Sequence, residues 1–75
     1  MTISELESEF PRWAFKAERD GLGWRYVGRT DARRVTIYPV GRLVDQDTIV
    51  TEWRVDDGEK SETYGAWLLR EGAGT

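Results

Sequence analysis

The chain has 75 residues and a formal net charge of −3, with 33% of its residues charged and 39% hydrophobic. This length predicts one small domain, and the composition is typical of a globular protein rather than a disordered one. Cysteine and histidine are both absent. Their absence excludes a disulfide scaffold, a zinc site built on thiolates and any histidine-dependent catalytic triad. We therefore expect a non-enzymatic protein without a cofactor or metal.

The apolar stretches are at most four residues long. They are too short for a membrane-spanning helix or for the apolar region of an export signal. The sequence thus predicts a cytoplasmic protein with no membrane partner.

The first predicted element is a short helix over about residues 2–10. Thr2 and Glu5 have the spacing of a capping box, and Pro11 ends the element because the residue before a proline avoids the α region. One apolar stripe at helical spacing is formed by Ile3, Leu6 and Phe10.

From Trp13 the hydrophobic period changes to two, which predicts strands at about 13–19 and 24–28 around a glycine-rich turn. A third strand is predicted at about 34–39. Because Pro39 lacks a backbone donor, this strand either ends there or lies at an edge of the sheet.

A fourth strand, at about 48–55, is rich in β-branched residues. Residues 62–70 are ambiguous. A strand would place Thr63, Trp67 and Leu69 on one face, and it is the interpretation we favour. A helix stripe remains the alternative, formed by Tyr64, Trp67, Leu68 and Glu71. Residues 72–75 are predicted to be a frayed tail.

Together these elements predict an α+β fold in which the N-terminal helix packs on a four- or five-stranded antiparallel meander. We expect all four tryptophans to lie in the core. The side chains predicted to face the helix are Trp13, Phe15, Trp24, Tyr26, Val35, Ile37, Ile49, Trp53 and Val55. Those predicted for the opposite face are Lys16, Arg25, Tyr38, Glu52, Arg54 and Tyr64.

Charge is unevenly distributed along the chain. Residues 25–42 carry a net charge of +4, and residues 43–62 carry −5. Arginine mixed with tyrosine is enriched at protein interfaces, and guanidinium groups bind carboxylates or phosphates. The candidate interaction residues are Arg25, Arg29, Arg33, Arg34, Tyr38, Arg42, Arg54 and Tyr64. The alternative is that the basic segment pairs with the acids of the same chain.

A pattern near the N-terminus resembles a known group of proteins. Residues 6–13 contain Leu6-x-x-x-Phe10-Pro11-x-Trp13, and Trp24-x-Tyr26-x-x-Arg29 follows after a glycine-rich turn. This pattern is similar to that of small actinobacterial and actinophage proteins of unknown function, with Arg12 in place of their usual glycine. The resemblance implies such an origin and assigns no site residue.

Two functions are compatible with these observations. The first is a protein-interaction module, either an accessory or host-modulating phage protein or a subunit that associates with itself. The alternative is a protein that contacts nucleic acid through its arginine-rich loop. The acidic net charge opposes the second, because a chain with an isoelectric point near 4.9 repels polyanions at long range.

Overall fold

The computed structural model describes residues 1–21 and 23–72. These residues form one five-stranded sheet and two short helices. In chain order the elements are α1 (Ile3–Glu9), β1 (Ala14–Asp20), β2 (Gly23–Arg29), β3 (Arg34–Leu43), β4 (Ile49–Asp56), β5 (Ser61–Thr63) and α2 (Tyr64–Glu71).

The sheet is an antiparallel meander in which the strands are neighbours in sequence order. The predicted α+β architecture is therefore confirmed. A tight turn at Gly21, whose φ is 49°, joins β1 to β2. Glycine suits this position because a positive φ costs it little.

The N-terminal helix begins where the capping pattern predicts. The Thr2 side chain accepts a hydrogen bond from the Glu5 amide at 3.2 Å. Leu6 and Phe10 on its apolar stripe are fully buried. The Tyr26 hydroxyl donates to the Met1 carbonyl at 2.8 Å, which ties the start of the chain to the sheet.

The favoured interpretation of residues 62–70 as a strand is wrong. Only Ser61–Thr63 pairs with β4, and residues 64–71 are helical. The Thr63 side chain accepts from the Ala66 amide at 3.3 Å, which is an N-cap and starts the helix. Gly72 is not frayed as predicted, because its amide donates to the Leu68 carbonyl at 2.8 Å and ends the helix. The rest of the predicted tail, residues 73–75, lies outside the described residues.

Both helices pack on the same face of the sheet, which we call the core face. Trp67 of α2 is fully buried, with its ring centroid 4.3 Å from that of Phe10 and 5.6 Å from that of Trp13. The buried cluster consists of Leu6, Phe10, Trp13, Val35, Ile37, Val55 and Trp67. In this short chain, aromatic rings supply much of the core.

The strands β3 and β4 extend well beyond the rest of the sheet. Pairing of β2 with β3 stops at Tyr26–Ile37, whereas β3 continues to Leu43 rather than ending at Pro39. We call residues 39–53, the paired ends of β3 and β4 with their turn, the hairpin arm. The Cα radius of gyration is 13.0 Å, compared with about 11 Å for a compact chain of this length.

Two predicted core residues are exposed as a result. The Ile49 side chain lies on the core face but on the hairpin arm, and it is 69% exposed. Trp24, at the start of β2, is 51% exposed. The two helices have seven and eight residues, so they are too short to cover the whole length of the sheet at 1.5 Å per residue.

Candidate interaction surface

The face of the sheet opposite the helices, here called the polar face, carries most of the predicted contact residues. The register places Tyr38 directly opposite Arg54, and Arg25 opposite Glu18. The prediction that these side chains share one face is therefore confirmed. The hydrogen bonds and ion pairs that these side chains make within the chain show how much of this face is free to bind another molecule.

On the polar face, Tyr38 and Arg54 are engaged with β5. The Tyr38 hydroxyl lies 2.8 Å from Ser61 Oγ. Arg54 donates to Ser61 Oγ at 3.0 Å and to the Ser61 carbonyl at 3.1 Å, and it pairs with Glu52 at 3.4 Å. These bonds attach the short edge strand β5, so both residues have a structural role.

The long side chains of the polar face also cover an apolar residue. Val27 is 3% exposed although it lies outside the main buried cluster. Its register neighbours are Lys16 on β1 and Thr36 on β3. The aliphatic stems of lysine and arginine can cover apolar surface in this way while the charge stays in water. Two open depressions remain on the polar face, one lined in part by Arg25, Tyr38 and Asp56, the other in part by Lys16, Glu18 and Val27.

The arginines of the predicted basic loop fall into two groups. Arg33 pairs with Glu71 at 2.9 Å and lies 5.4 Å from the centroid of the Trp13 ring, so it fastens the loop to α2. Arg29 and Arg34 are register partners on β2 and β3, so two like charges lie directly opposite each other. Within the described residues neither has an ion-pair partner.

Arg12 belongs with this second group. It lines an open depression of about 870 Å³ together with Arg29 and Arg33, and Asp31 and Glu71 line the same depression. We call Arg12, Arg29 and Arg34 the basic end. Arg29 and Arg34 come from the predicted basic segment and Arg12 from the chain before β1, and none of the three has an ion-pair partner among the described residues.

The prediction that Tyr64 lies on the polar face is wrong. This residue begins α2 on the core face, and its ring centroid lies 6.4 Å from those of both Phe10 and Trp67. Burial, with the nearby Glu9 and Glu5 carboxylates, raises the pKa of its hydroxyl. The predicted strand at 62–70 would have placed Tyr64 on the polar face, and the helix places it on the core face.

The hairpin arm carries exposed apolar side chains on both faces. Leu43 and Ile49 are register partners on the core face, and they are 67% and 69% exposed. Val44, at the turn, is 54% exposed, and Val50 on the opposite face is 42% exposed. None of these residues is among the predicted contact residues. Their pattern in the sequence could have indicated them, because the apolar pairs Leu43-Val44 and Ile49-Val50 flank a polar turn.

The turn of the hairpin arm is well ordered by hydrogen bonds. Asp45 Oδ1 accepts from the amides of Asp47 and Thr48, each at 2.9 Å. These bonds lower the pKa of the Asp45 carboxyl. The Val44 amide also donates to the Thr48 carbonyl at 3.0 Å, which closes the hairpin. The apolar side chains are thus displayed on a preformed element.

Arg42 is the one predicted contact residue on the arm. It lies 3.7 Å from Glu52, which also pairs with Arg54. Arg42 therefore shares a single carboxylate with Arg54, so its charge is only partly balanced within the sheet. What distinguishes the arm is its exposed apolar surface and not its charge.

No cluster of three or more potential metal ligands occurs in the part of the chain that the structure describes. Neither described helix is long and apolar enough to span a membrane. Comparison with protein-family models, with curated proteins and with solved structures found no match. The likeness of the N-terminal pattern to actinobacterial and phage proteins stays a prediction.

Proposed function

We propose that the protein is a non-enzymatic interaction module and that the hairpin arm is its contact element. The observation that carries this proposal is the exposure of Leu43, Val44, Ile49 and Val50 on a single projecting element. Large apolar patches on small proteins usually mark sites of protein–protein contact. Four neighbouring apolar residues that add nothing to the core indicate a role outside it.

The arm also has the backbone properties of a contact element. Beyond the end of β2 and the short β5, both outer edges of the arm lie unpaired within the described chain. An unpaired strand edge can accept a further strand through main-chain hydrogen bonds. Because the arm is already ordered by its own ladder and turn, binding costs little conformational entropy.

Site-specific cross-linking tests this proposal directly. A photoreactive amino acid is placed at Val50 on the arm, at Lys16 on the polar face and at Leu69, which is 83% exposed on α2. We expect protein adducts in cells from the Val50 position and few from the other two. Equal yields from all three positions, or no adduct from the arm, would contradict the proposal.

A second candidate function is contact with nucleic acid through the basic end. It is favoured by one observation: Arg29 and Arg34 lie opposite each other without a carboxylate partner among the described residues. Like charges directly opposite in a sheet are destabilising, which phosphate groups would relieve. The net charge of −3 and the nearby Asp31 oppose it.

Fluorescence anisotropy with labelled single-stranded DNA at low salt tests this candidate. If it is correct, the double variant Arg29→Ala/Arg34→Ala binds at least about tenfold more weakly, because each lost phosphate contact lowers the affinity. The control Arg19→Ala/Lys60→Ala removes the same charge elsewhere. Equal binding by both variants, or no binding by the native chain, would rule the candidate out.

A further inference from the structure

Two arginines of the basic end belong to the kind of cross-strand pair whose side chains are closest. The Thr30 amide donates to the Arg33 carbonyl at 2.9 Å, so these two residues form a hydrogen-bonded pair of the ladder between β2 and β3. Hydrogen-bonded and non-hydrogen-bonded pairs alternate along an antiparallel ladder. The next pair, Arg29 with Arg34, is therefore non-hydrogen-bonded, with a Cα separation of about 4.5 Å.

The turn that joins β2 to β3 holds this arginine pair in place. Thr30 Oγ1 accepts from the amides of Ala32 and Arg33, at 3.3 and 3.1 Å. Arg33 is also attached to Glu71 of α2 at 2.9 Å. The backbone of the pair is thus ordered before any ligand binds, which reduces the entropy cost of binding.

The pair lacks the carboxylate that other positions of the sheet provide. On β2, Arg25 has Glu18 opposite it on β1, and the two side chains pair at 3.4 Å. The β1 residue opposite Arg29 is Ala14, which is small and uncharged. In the part of the chain that the structure describes, neither Arg29 nor Arg34 has an ion-pair partner. Two guanidinium groups are therefore available side by side on the polar face.

The local charge matches a dianion. Arg12 lines the same open depression as Arg29, and Asp31 lies at its rim. The three arginines of the basic end and Asp31 together carry a net charge of +2, and the ion pair between the turn and α2 adds none. A phosphomonoester carries a charge of about −1.5 to −2 at neutral pH, whereas a phosphodiester carries a single negative charge.

We propose that the basic end binds one phosphate dianion, either free or as the terminal group of a small phosphomonoester, between the guanidinium groups of Arg29 and Arg34. A planar guanidinium donates two parallel hydrogen bonds to a phosphate, so the pair supplies about four. The ligand also neutralises two like charges that repel each other across the ladder. The inference goes beyond the proposed function, because the site lies at the start of β3 and the hairpin arm at its other end.

The same arginines carry the nucleic-acid candidate, but a compact dianion fits the charge of the protein better. A nucleic-acid backbone presents many phosphodiesters, and each of them is repelled by the net charge of −3. A small phosphomonoester concentrates its charge at one point and meets only the local charge of the basic end. The two ligands are therefore distinguishable by comparing a monoester with a diester.

Titration followed by nuclear magnetic resonance at constant ionic strength tests the site. Glycerol phosphate is the monoester probe, inorganic phosphate is the free ion, and dimethyl phosphate is the diester control. We expect saturable shifts of the Nε–H signals of Arg29 and Arg34 with both dianions, and at least about tenfold weaker binding of the diester, which carries less charge. Tighter binding of glycerol phosphate than of inorganic phosphate would assign the monoester, and equal binding would assign the free ion.

Three variants connect the binding to the arginine pair. Arg29→Ala/Arg34→Ala should weaken the binding of glycerol phosphate at least about tenfold, because it removes the hydrogen bonds to the charged ligand. Arg29→Lys/Arg34→Lys keeps both charges and loses the bidentate geometry, so its affinity should be intermediate. Arg19→Ala/Lys60→Ala removes two positive charges elsewhere and should bind like the native chain. An unchanged thermal midpoint of the first variant shows that the fold is retained.

The pH dependence of binding is an independent measurement. The chain contains no histidine, the side chain that ordinarily titrates between about pH 5 and 8. The arginines of the basic end stay charged throughout this range. A phosphomonoester takes up its second negative charge with a pKa of about 6. The affinity for glycerol phosphate should therefore rise from about pH 5 to 7 as the dianion forms.

The outcomes that overturn the proposal leave the hairpin arm untouched. Absence of saturable shifts at millimolar glycerol phosphate would refute the site. Equal affinity for the monoester and the diester would refute the dianion and favour the nucleic-acid candidate. Equal losses in the two double alanine variants would show that only overall charge matters. None of these results bears on cross-linking from Val50, which tests the arm separately.

Discussion

Replacing Trp67 by alanine should cost the fold a large part of its stability. Trp67 is fully buried, and its ring centroid lies 4.3 Å from that of Phe10 and 5.6 Å from that of Trp13. Truncation of a buried tryptophan to alanine typically costs about 3–5 kcal/mol. A chain of this length has a free energy of unfolding of about 4–11 kcal/mol. We therefore expect Trp67→Ala to unfold at a much lower urea concentration than the native chain, and not to fold at all if the native stability is near the lower of these values.

Trp67→Phe provides a measurable counterpart if the alanine variant does not fold. It retains an aromatic ring and removes the indole N–H, which is buried without a hydrogen-bond partner in the described structure. A buried donor of that kind costs about 1–3 kcal/mol. Its removal offsets much of the lost packing, so the variant should lose less than about 2 kcal/mol.

Leu69→Ala is the matched control, because Leu69 lies on the same helix and is 83% exposed. Its free energy of unfolding should change by no more than about 0.5 kcal/mol. Urea denaturation followed by far-ultraviolet circular dichroism gives the midpoint for each variant without depending on tryptophan fluorescence. In a strand, Trp67 and Leu69 would share one face. Similar losses for the two alanine variants would therefore refute the helical packing of α2.

Three further substitutions test local features of the fold. Gly28→Ala should destabilise the protein by about 1–3 kcal/mol, because the new Cβ would lie 2.6 Å from Cε1 of Phe15. Gly23→Ala is the control, because its Cβ would meet nothing within 4 Å. Thermal unfolding of both variants should show a lower midpoint for Gly28→Ala only. Thr63→Ala removes the cap of α2 and should cost about 1 kcal/mol in urea denaturation. The hydrogen bond from Arg70 lowers the pKa of the Glu62 carboxyl. This pair therefore stabilises the fold above the ordinary glutamate pKa, and the contribution is lost as the pH falls through the lowered pKa. Glu62→Gln should remove that part of the acid dependence of stability.

Much of the sheet could be predicted from the two-residue hydrophobic period. Alternation after Trp13 predicted the first four strands, although β3 continues past the predicted end at 39 to Leu43. It also placed Val35, Ile37 and Val55 on the core face. A period of this kind fixes which side of a strand a residue faces. It carries no information about how far the helices extend along that side, which is why Ile49 was expected in the core and is exposed.

The error at α2 has a different physical cause. In residues 63–71 a period of two would place Trp67 and Leu69 on one strand face, whereas a period of 3.6 would place Trp67 and Leu68 on one helix face. Periodicity alone is therefore ambiguous over so short a segment. The N-cap at Thr63 decides the outcome, together with the packing of Trp67 against the rings of α1 and β1. The second of these is a tertiary effect that local sequence does not encode.

The candidate site was predictable only in part. Charge type identified Arg25, Arg33 and Arg54 as contact residues, but each is paired within the fold. Glu18 and Glu71 reach Arg25 and Arg33 from other elements, whereas Glu52 lies two residues before Arg54 on the same strand. The exposed surface of the hairpin arm arises from strand lengths. β3 and β4 are longer than their neighbours, and that difference appears only when the register is known.

Amide hydrogen exchange along β4 tests the role of the hairpin arm most directly. The Val50 amide points to β3 and should be protected in the free and in the bound protein, whereas the Thr51 amide points outward. We predict that Thr51 exchanges fast in the isolated protein and becomes protected when a protein captured by cross-linking from Val50 is bound. Fast exchange at Thr51 in both states, with Val50 protected throughout, would contradict the hairpin arm as the contact element.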